Sequence, residues 1–200
     1  MDTYPEWKVS LIQAAGELVL ALVALPLYIF LVLPKHGEGD LPGFSPIFAE
    51  GISPILAVAC ALAVFVAGIG VGILLVLIFG RDRVITDDVD RLASDYSLLE
   101  LVPGFAAAGF AEEFLFRVVC VDLCGVIIAS ILFTAAHFSY WKHPLPMVDV
   151  FILGLLFGCL YAFTQSLLLC ALVHFLYNLT ITHLVKSGFM TRMSMGRKNY

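Results

Sequence analysis

Charged side chains are scarce in this chain, making up 14% of its 200 residues, where soluble domains carry about a quarter. That scarcity excludes an ordinary water-facing globule. Basic groups are scarcer still, 11 Lys and Arg against 16 Asp and Glu, and they sit in loops and tails rather than along one face. A nucleic-acid partner is excluded with them. The five cysteines (Cys60, Cys120, Cys124, Cys159 and Cys170) form no CxxC pair and lie in apolar runs, so they read as small core residues. HExxH and GxSxG are both absent, which removes the zincin and nucleophile-elbow hydrolase patterns. No internal repeat or matched pair of broken helices points to an inverted-repeat transporter.

What remains is hydrophobic: 61% of the residues, with a mean hydropathy of +0.99. A membrane-spanning helix needs about 20 mostly apolar residues. Six segments qualify, at roughly 11–33, 52–79, 99–122, 125–141, 146–163 and 166–185, and they predict an all-α, polytopic membrane helix bundle. Turn chemistry separates them: PKHGEGDLPG, RDRVITDDVDRLASDYS, Asp122 to Gly125, WKHPLP and the weakly polar Gln165. The stretch MDTYPEWKVS lacks the basic start of a cleaved signal, and the apolar run behind it is expected to stay as a span. With six spans, Lys8, Arg81, Arg83, Arg91, Lys142, Lys186, Arg192, Arg197 and Lys198 share one side and Lys35 faces the other. That asymmetry places both termini in the cytoplasm. The 81–97 connector, with Val84, Ile85, Val89 and Leu92 among its charges, fits a short interfacial helix capped at Thr86, or a solvated linker. The chain divides into a two-span region at 1–97, a core at 98–185 and a basic tail at 186–200.

Three polar spacings interrupt the apolar segments: Glu112-Glu113-x-x-x-Arg117, Phe133-x-x-x-His137 and His174-x-x-x-Asn178. Ionisable groups in hydrocarbon are costly and rarely idle. On a helix, residues i and i+4 share a face, so Glu113 pairs with Arg117 as a structural ion pair while Glu112 points about 100° away. Glu112 is thereby left free for chemistry. At about 1.5 Å per residue, Glu112 and His137 lie roughly 15 to 18 Å from the shared turn at 122–125, and His174 and Asn178 lie roughly 12 and 18 Å from Ser166. The four side chains fall in one layer, with Phe133 packed one turn from His137.

A carboxylate beside an imidazole in a low-dielectric site can take a proton from water. His174 and Asn178 add donors for an oxyanion. Glu112, His137 and His174 equally match three ligands of a zinc or other divalent-metal site with water in the fourth position. Both mechanisms fit the residues. Each motif alone is often only helix glue or a satisfied interhelical donor; together they point to a site.

With EEFLFR at Glu112 to Arg117, FTAAH at Phe133 to His137 and HFLYN at His174 to Asn178, the chain resembles the CPBP family of intramembrane proteases. That family includes CAAX prenyl endopeptidases and bacteriocin-processing enzymes, and its pattern is EExxxR, FxxxH and HxxxN on successive helices. The resemblance covers about 98–185, and the first two spans have no recognisable counterpart. It implies an all-helical fold and hydrolysis of a peptide bond in the membrane, in some members near a prenylated C-terminus. It further implies that Glu112 is the essential carboxylate, that His137 works with it on water, and that His174 and Asn178 complete the site. Family members are described both as metalloproteases and as glutamate-dependent enzymes, so the metal question stays open. The expected setting is a multi-pass bacterial or archaeal membrane protein whose partners are the bilayer and a membrane-associated peptide.

Other features carry less. Gly37-Glu38-Gly39-Asp40 matches the GxGD of intramembrane aspartyl proteases but falls in a loop without a second aspartate at helix depth. Glu17 is expected to snorkel or pair within the bundle, and Asp149 to sit near the cytoplasmic face, where an acid costs little. Two other functions use the same inventory: a non-catalytic peptide-binding or bacteriocin-immunity protein, and a proton-coupled carrier titrating Glu112.

Overall fold

Serine hydroxyls start three of the long helices. Ser53 accepts from the Leu56 amide at 3.2 Å with Pro54 in the first turn, and Ser97 and Glu100 form a capping box. Ser166 accepts from the Leu169 amide at 3.2 Å. Each cap satisfies an amide that the helix itself leaves unpaired. The computed structural model describes residues 6–37, 40–44 and 52–195, with side chains from residue 16 onward. The Lys8 side chain, part of the GEGD loop and the tail beyond 195 lie outside the described residues.

Among the described residues the helices run α1 (Glu6–Leu27), α2 (Pro54–Phe79), α3 (Arg81–Val84), α4 (Asp87–Asp95), α5 (Leu98–Glu113), α6 (Asp122–Ala136), α7 (Pro144–Thr164), α8 (Leu167–Lys186) and α9 (Phe189–Met195), with no strand. A π-helical stretch, Phe114–Val121, joins α5 to α6. Five helical runs are long and apolar enough to cross a membrane: Gly16–Lys35, Pro54–Phe79, Leu98–Ala136, Pro144–Thr164 and Leu167–Lys186. The third holds two of the six expected segments. Its break is Gly125, at φ 79° and ψ 169°, a backbone position open to glycine and strained for other residues. The molecule is thus a helical membrane bundle of about six passes. The weak break expected after the fifth segment is also present, with Gln165 left-handed at φ 52° between α7 and α8.

The segment after Gly125 ends sooner than the hydropathy suggested. α6 stops at Ala136, a rise of only about 16 Å past the break at ~1.5 Å per residue. His137 is therefore a cap residue, at φ −83° and ψ 55°, and the chain continues as a short 3-10 turn, Phe138–Tyr140. Non-helical backbone at membrane depth is tolerated where it is buried in protein or lines a cavity. His137 and Tyr140 meet that condition by lining a cavity, and the turn pairs its own backbone, the Tyr140 N–H donating to the His137 carbonyl at 2.9 Å.

Small residues let the site-bearing helices approach. Gly154 and Gly158 of α7 sit against Ser130 and Val126 of α6, where an added Cβ would lie 3.1 Å from Ser130 Cβ and 2.7 Å from Val126 Cγ1. This is the small-xxx-small contact of membrane helices. Gly109 does the same between α5 and α8, with a Cβ there falling 2.9 Å from the Ala171 carbonyl oxygen. Backbone cannot swing away as a side chain can. Gly109→Ala is therefore expected to destabilise by about 1 to 3 kcal/mol. Gly70→Ala, with nothing within 4 Å, should leave the melting temperature in detergent unchanged; equal melting of the two variants would contradict the close approach.

At the other end of the bundle α3 and α4 fold over the ends of α2 and α8. Val84 and Ala93 pack with Leu75, Val76, Val185 and the buried Met190 of α9. The Lys186 ammonium donates to the Ala93 and Tyr96 carbonyls at 2.8 and 3.0 Å, a favourable charge at the C-terminus of α4, and Arg81 pairs with Asp90. The 81–97 connector is thus a docked helix. Thr86 is its N-cap by position, yet its side chain makes no capping bond.

Candidate active site

Glu113 and Arg117 are both fully buried, and Arg117 Nε donates to Glu113 Oε2 at 2.8 Å. The guanidinium also lies over the Phe133 ring, 4.6 Å from its centroid, and 5.9 Å from that of Phe157. Two aromatic faces and a carboxylate together offset the desolvation of that cation. The pair starts where the helix changes type, since the π stretch begins at Phe114. Such widened turns recur at functional sites because they re-aim side chains.

The ion pair does more than hold a helix. The other Glu113 oxygen, Oε1, lies 2.9 Å from His174 Nδ1, so α5 and α8 are tied through one carboxylate. Paired with Arg117, Glu113 is an acceptor only, and His174 must therefore donate from Nδ1. Face geometry alone did not reveal this contact, because it depends on how α8 packs.

His137 is fixed by the same logic. Its Nδ1 lies 2.8 Å from the Phe133 carbonyl oxygen, which can only accept, so Nδ1 carries the proton and Nε2 is the free face. Phe133 packs edge-on against both histidines, 4.7 Å from the His137 ring and 6.2 Å from that of His174. It is the plate on which Arg117, His137 and His174 are arranged. The free Nε2 of His137 lies 3.9 Å from Glu112 Oε2, too far for a direct hydrogen bond. That glutamate oxygen is buried and has no hydrogen-bond partner among the described residues.

Glu112, His137, His174 and Asn178 line one cavity of about 220 Å³. The layer expected from depth counting is therefore a shared space. Val84, Ile85, Thr86, Val89 and Leu92 close it from the α3–α4 side, so the connector is a wall of the site.

Three further residues belong to it. Asp149 lines the cavity and takes a hydrogen bond from the Tyr177 hydroxyl at 3.2 Å. It is not the solvated interfacial acid that its place at the start of the fifth segment suggested, because α7 turns that face inward. Tyr177 was legible within HFLYN, since i and i+3 share a face with His174. Tyr140, outside the spans, also lines the cavity, and burial pushes its phenol above the usual value, which keeps the hydroxyl a donor. Glu17 turns inward rather than snorkelling: Oε2 is buried and has no hydrogen-bond partner among the described residues, and the group lies within electrostatic reach of Glu112 and His174.

In the set Glu112, His137 and His174 both Nδ1 atoms are engaged, one by the Phe133 carbonyl and one by Glu113, which leaves Nε2 of each ring as the nitrogen a metal would use. Among the described residues no group of three or more His, Cys, Asp or Glu is placed to hold a metal ion.

YpbD, an uncharacterized protein of Bacillus subtilis (strain 168), is 37% identical over 69 residues, a match spanning 34% of this chain and 36% of that protein. The chain thus aligns with about a third of the curated relative's length. No solved structure matches. All three polar motifs fall inside residues 94–180, the segment that matches the type II CAAX prenyl endopeptidase Rce1-like family of the CPBP group.

Proposed function

We propose that this protein is an intramembrane endopeptidase that hydrolyses a peptide bond of a membrane-associated peptide, without an obligatory metal. Prenylated C-terminal peptides and bacteriocin leaders are the substrate classes the resemblance suggests. The observation that carries the reading is the 3.9 Å gap between Glu112 Oε2 and His137 Nε2, two acceptors facing each other at the edge of a cavity. A water donating one O–H to each satisfies both and leaves its oxygen lone pairs for attack.

The chemistry then runs through this chain's own groups. Glu112 takes a proton as the water oxygen bonds to the scissile carbonyl carbon, and His137 holds the second hydrogen. Asn178 donates its side-chain N–H to the developing oxyanion. His174, whose Nδ1–H is held by Glu113, donates from Nε2 as the imidazolium, the two carboxylates of Glu112 and Glu113 together balancing Arg117 and the imidazolium in the resting site. Glu112 returns its proton to the departing amide nitrogen, and the carbonyl–nitrogen bond breaks to give a carboxylic acid and an amine, the second water proton then passing from the acid to the amine by way of His137. In this reading the α3–α4 connector shields the water from the cytoplasm, the side to which the asymmetry of basic residues assigns both termini.

Purified protein in liposomes with a membrane-anchored, fluorescence-quenched peptide tests this reading. It predicts new amino termini at a rate that a chelator such as EDTA changes by less than about twofold, since the water is activated by a general base. Stoichiometric zinc lost together with activity would overturn the metal-free mechanism. Binding of peptide without cleavage would favour the non-catalytic peptide-binding or immunity reading.

A further inference from the structure

Asp149 and Tyr177 form a second polar group in the cavity that hydrolysis does not use. Tyr177 donates to Asp149 Oδ2 at 3.2 Å, which fixes the carboxylate, while Oδ1 is buried and has no hydrogen-bond partner among the described residues. A buried carboxylate oxygen left without a donor is costly, and a cation with N–H groups relieves it best. The cavity supplies no Lys or Arg among the described residues: its ionisable lining is Glu112, His137, Tyr140, Asp149, His174 and Tyr177, and the two imidazoles are held on the Glu112 and Glu113 side. Arg117 is engaged by Glu113, behind Phe133.

The surroundings select the shape of that cation. Val89, Leu153 and Ile181 line the cavity with Asp149, apolar walls suited to a methylene stem carrying a charged head. Tyr177 lies three residues after His174 and one before Asn178 on α8, so the acid is held at a set distance from the oxyanion donors. We infer that the Asp149–Tyr177 pair is a recognition site for a cationic side chain, Lys or Arg, of the peptide substrate, within a few residues of the bond to be cleaved. The inference rests on the peptide reading of the cavity but not on catalysis.

Binding is measured on the Glu112→Gln protein in lipid nanodiscs, with a peptide series that places Lys or norleucine at each position near the bond. Norleucine keeps the stem and removes the charge. At one position Lys should bind about tenfold more tightly than norleucine, the scale of a charge-assisted contact, and adding Asp149→Asn should bring that ratio close to one. An absence of Lys preference at every position in protein with Asp149 intact overturns the proposal, and that comparison stands even if Asp149→Asn fails to fold. An unchanged ratio in folded Asp149→Asn overturns it as well. Parallel cleavage by protein retaining Glu112 separates the two claims: Lys preference without cleavage sinks hydrolysis and supports the recognition site, whereas cleavage without Lys preference sinks the recognition site alone.

Discussion

Glu112→Gln is expected to lower peptide cleavage by about 10²- to 10⁴-fold, the range for loss of a positioned general base, while the melting temperature holds or rises slightly. Both halves follow from one geometry. Glu112 Oε2 is buried without a hydrogen-bond partner among the described residues, so a neutral amide there removes a desolvated acceptor and breaks no bond seen there. A substitution that spares folding and removes turnover marks a group whose work is done on substrate. If kcat survives Glu112→Gln, the assignment fails. If the variant loses turnover only because it unfolds, Glu112 is structural and Glu113 has no special claim to that role.

Arg117→Met should have the opposite signature. Methionine keeps much of the side-chain volume but leaves the fully buried Glu113 carboxylate without its cation, a loss of about 3 to 5 kcal/mol for a broken buried pair. The variant should melt far below wild type or fail to accumulate in the membrane. Combining it with Glu113→Gln should recover part of that loss, since the uncompensated charge is gone, and the difference between the double variant and the summed single variants measures the coupling. Recovery of fold need not restore activity, because Glu113 also bonds His174 Nδ1 at 2.9 Å. Wild-type melting of Arg117→Met would contradict the ion pair as a mainstay of the core.

Helical spacing made much of this site readable before any coordinates. Contacts at i and i+4 are set by local geometry, so the Glu113–Arg117 pair and the Phe133–His137 contact follow from spacing once the helices are recognised. Gly125 was readable as a turn for a similar reason, since glycine readily takes positive φ. The connection from Glu113 to His174, 61 residues apart, was not readable, because it depends on how closely α8 rides against Gly109 of α5. Hydropathy also misjudged the end of α6: Phe138 and Tyr140 are apolar enough to extend a span, whereas the backbone leaves the helix at His137 and uses that break to aim the imidazole. Asp149 and Glu17 looked peripheral because position along a segment reports depth and not direction. Only the packing of α7 and α1 turns them inward.

The central claim is that Glu112 and His137 hold the water that cuts the peptide. It is tested most directly by incubating the purified protein with a membrane-anchored peptide in ¹⁸O-labelled water and weighing the products, for wild type and for His137→Ala. The account predicts one labelled oxygen in the new carboxylate of the wild-type product and a loss of that product with His137→Ala. Equal amounts of labelled product from both proteins would contradict it.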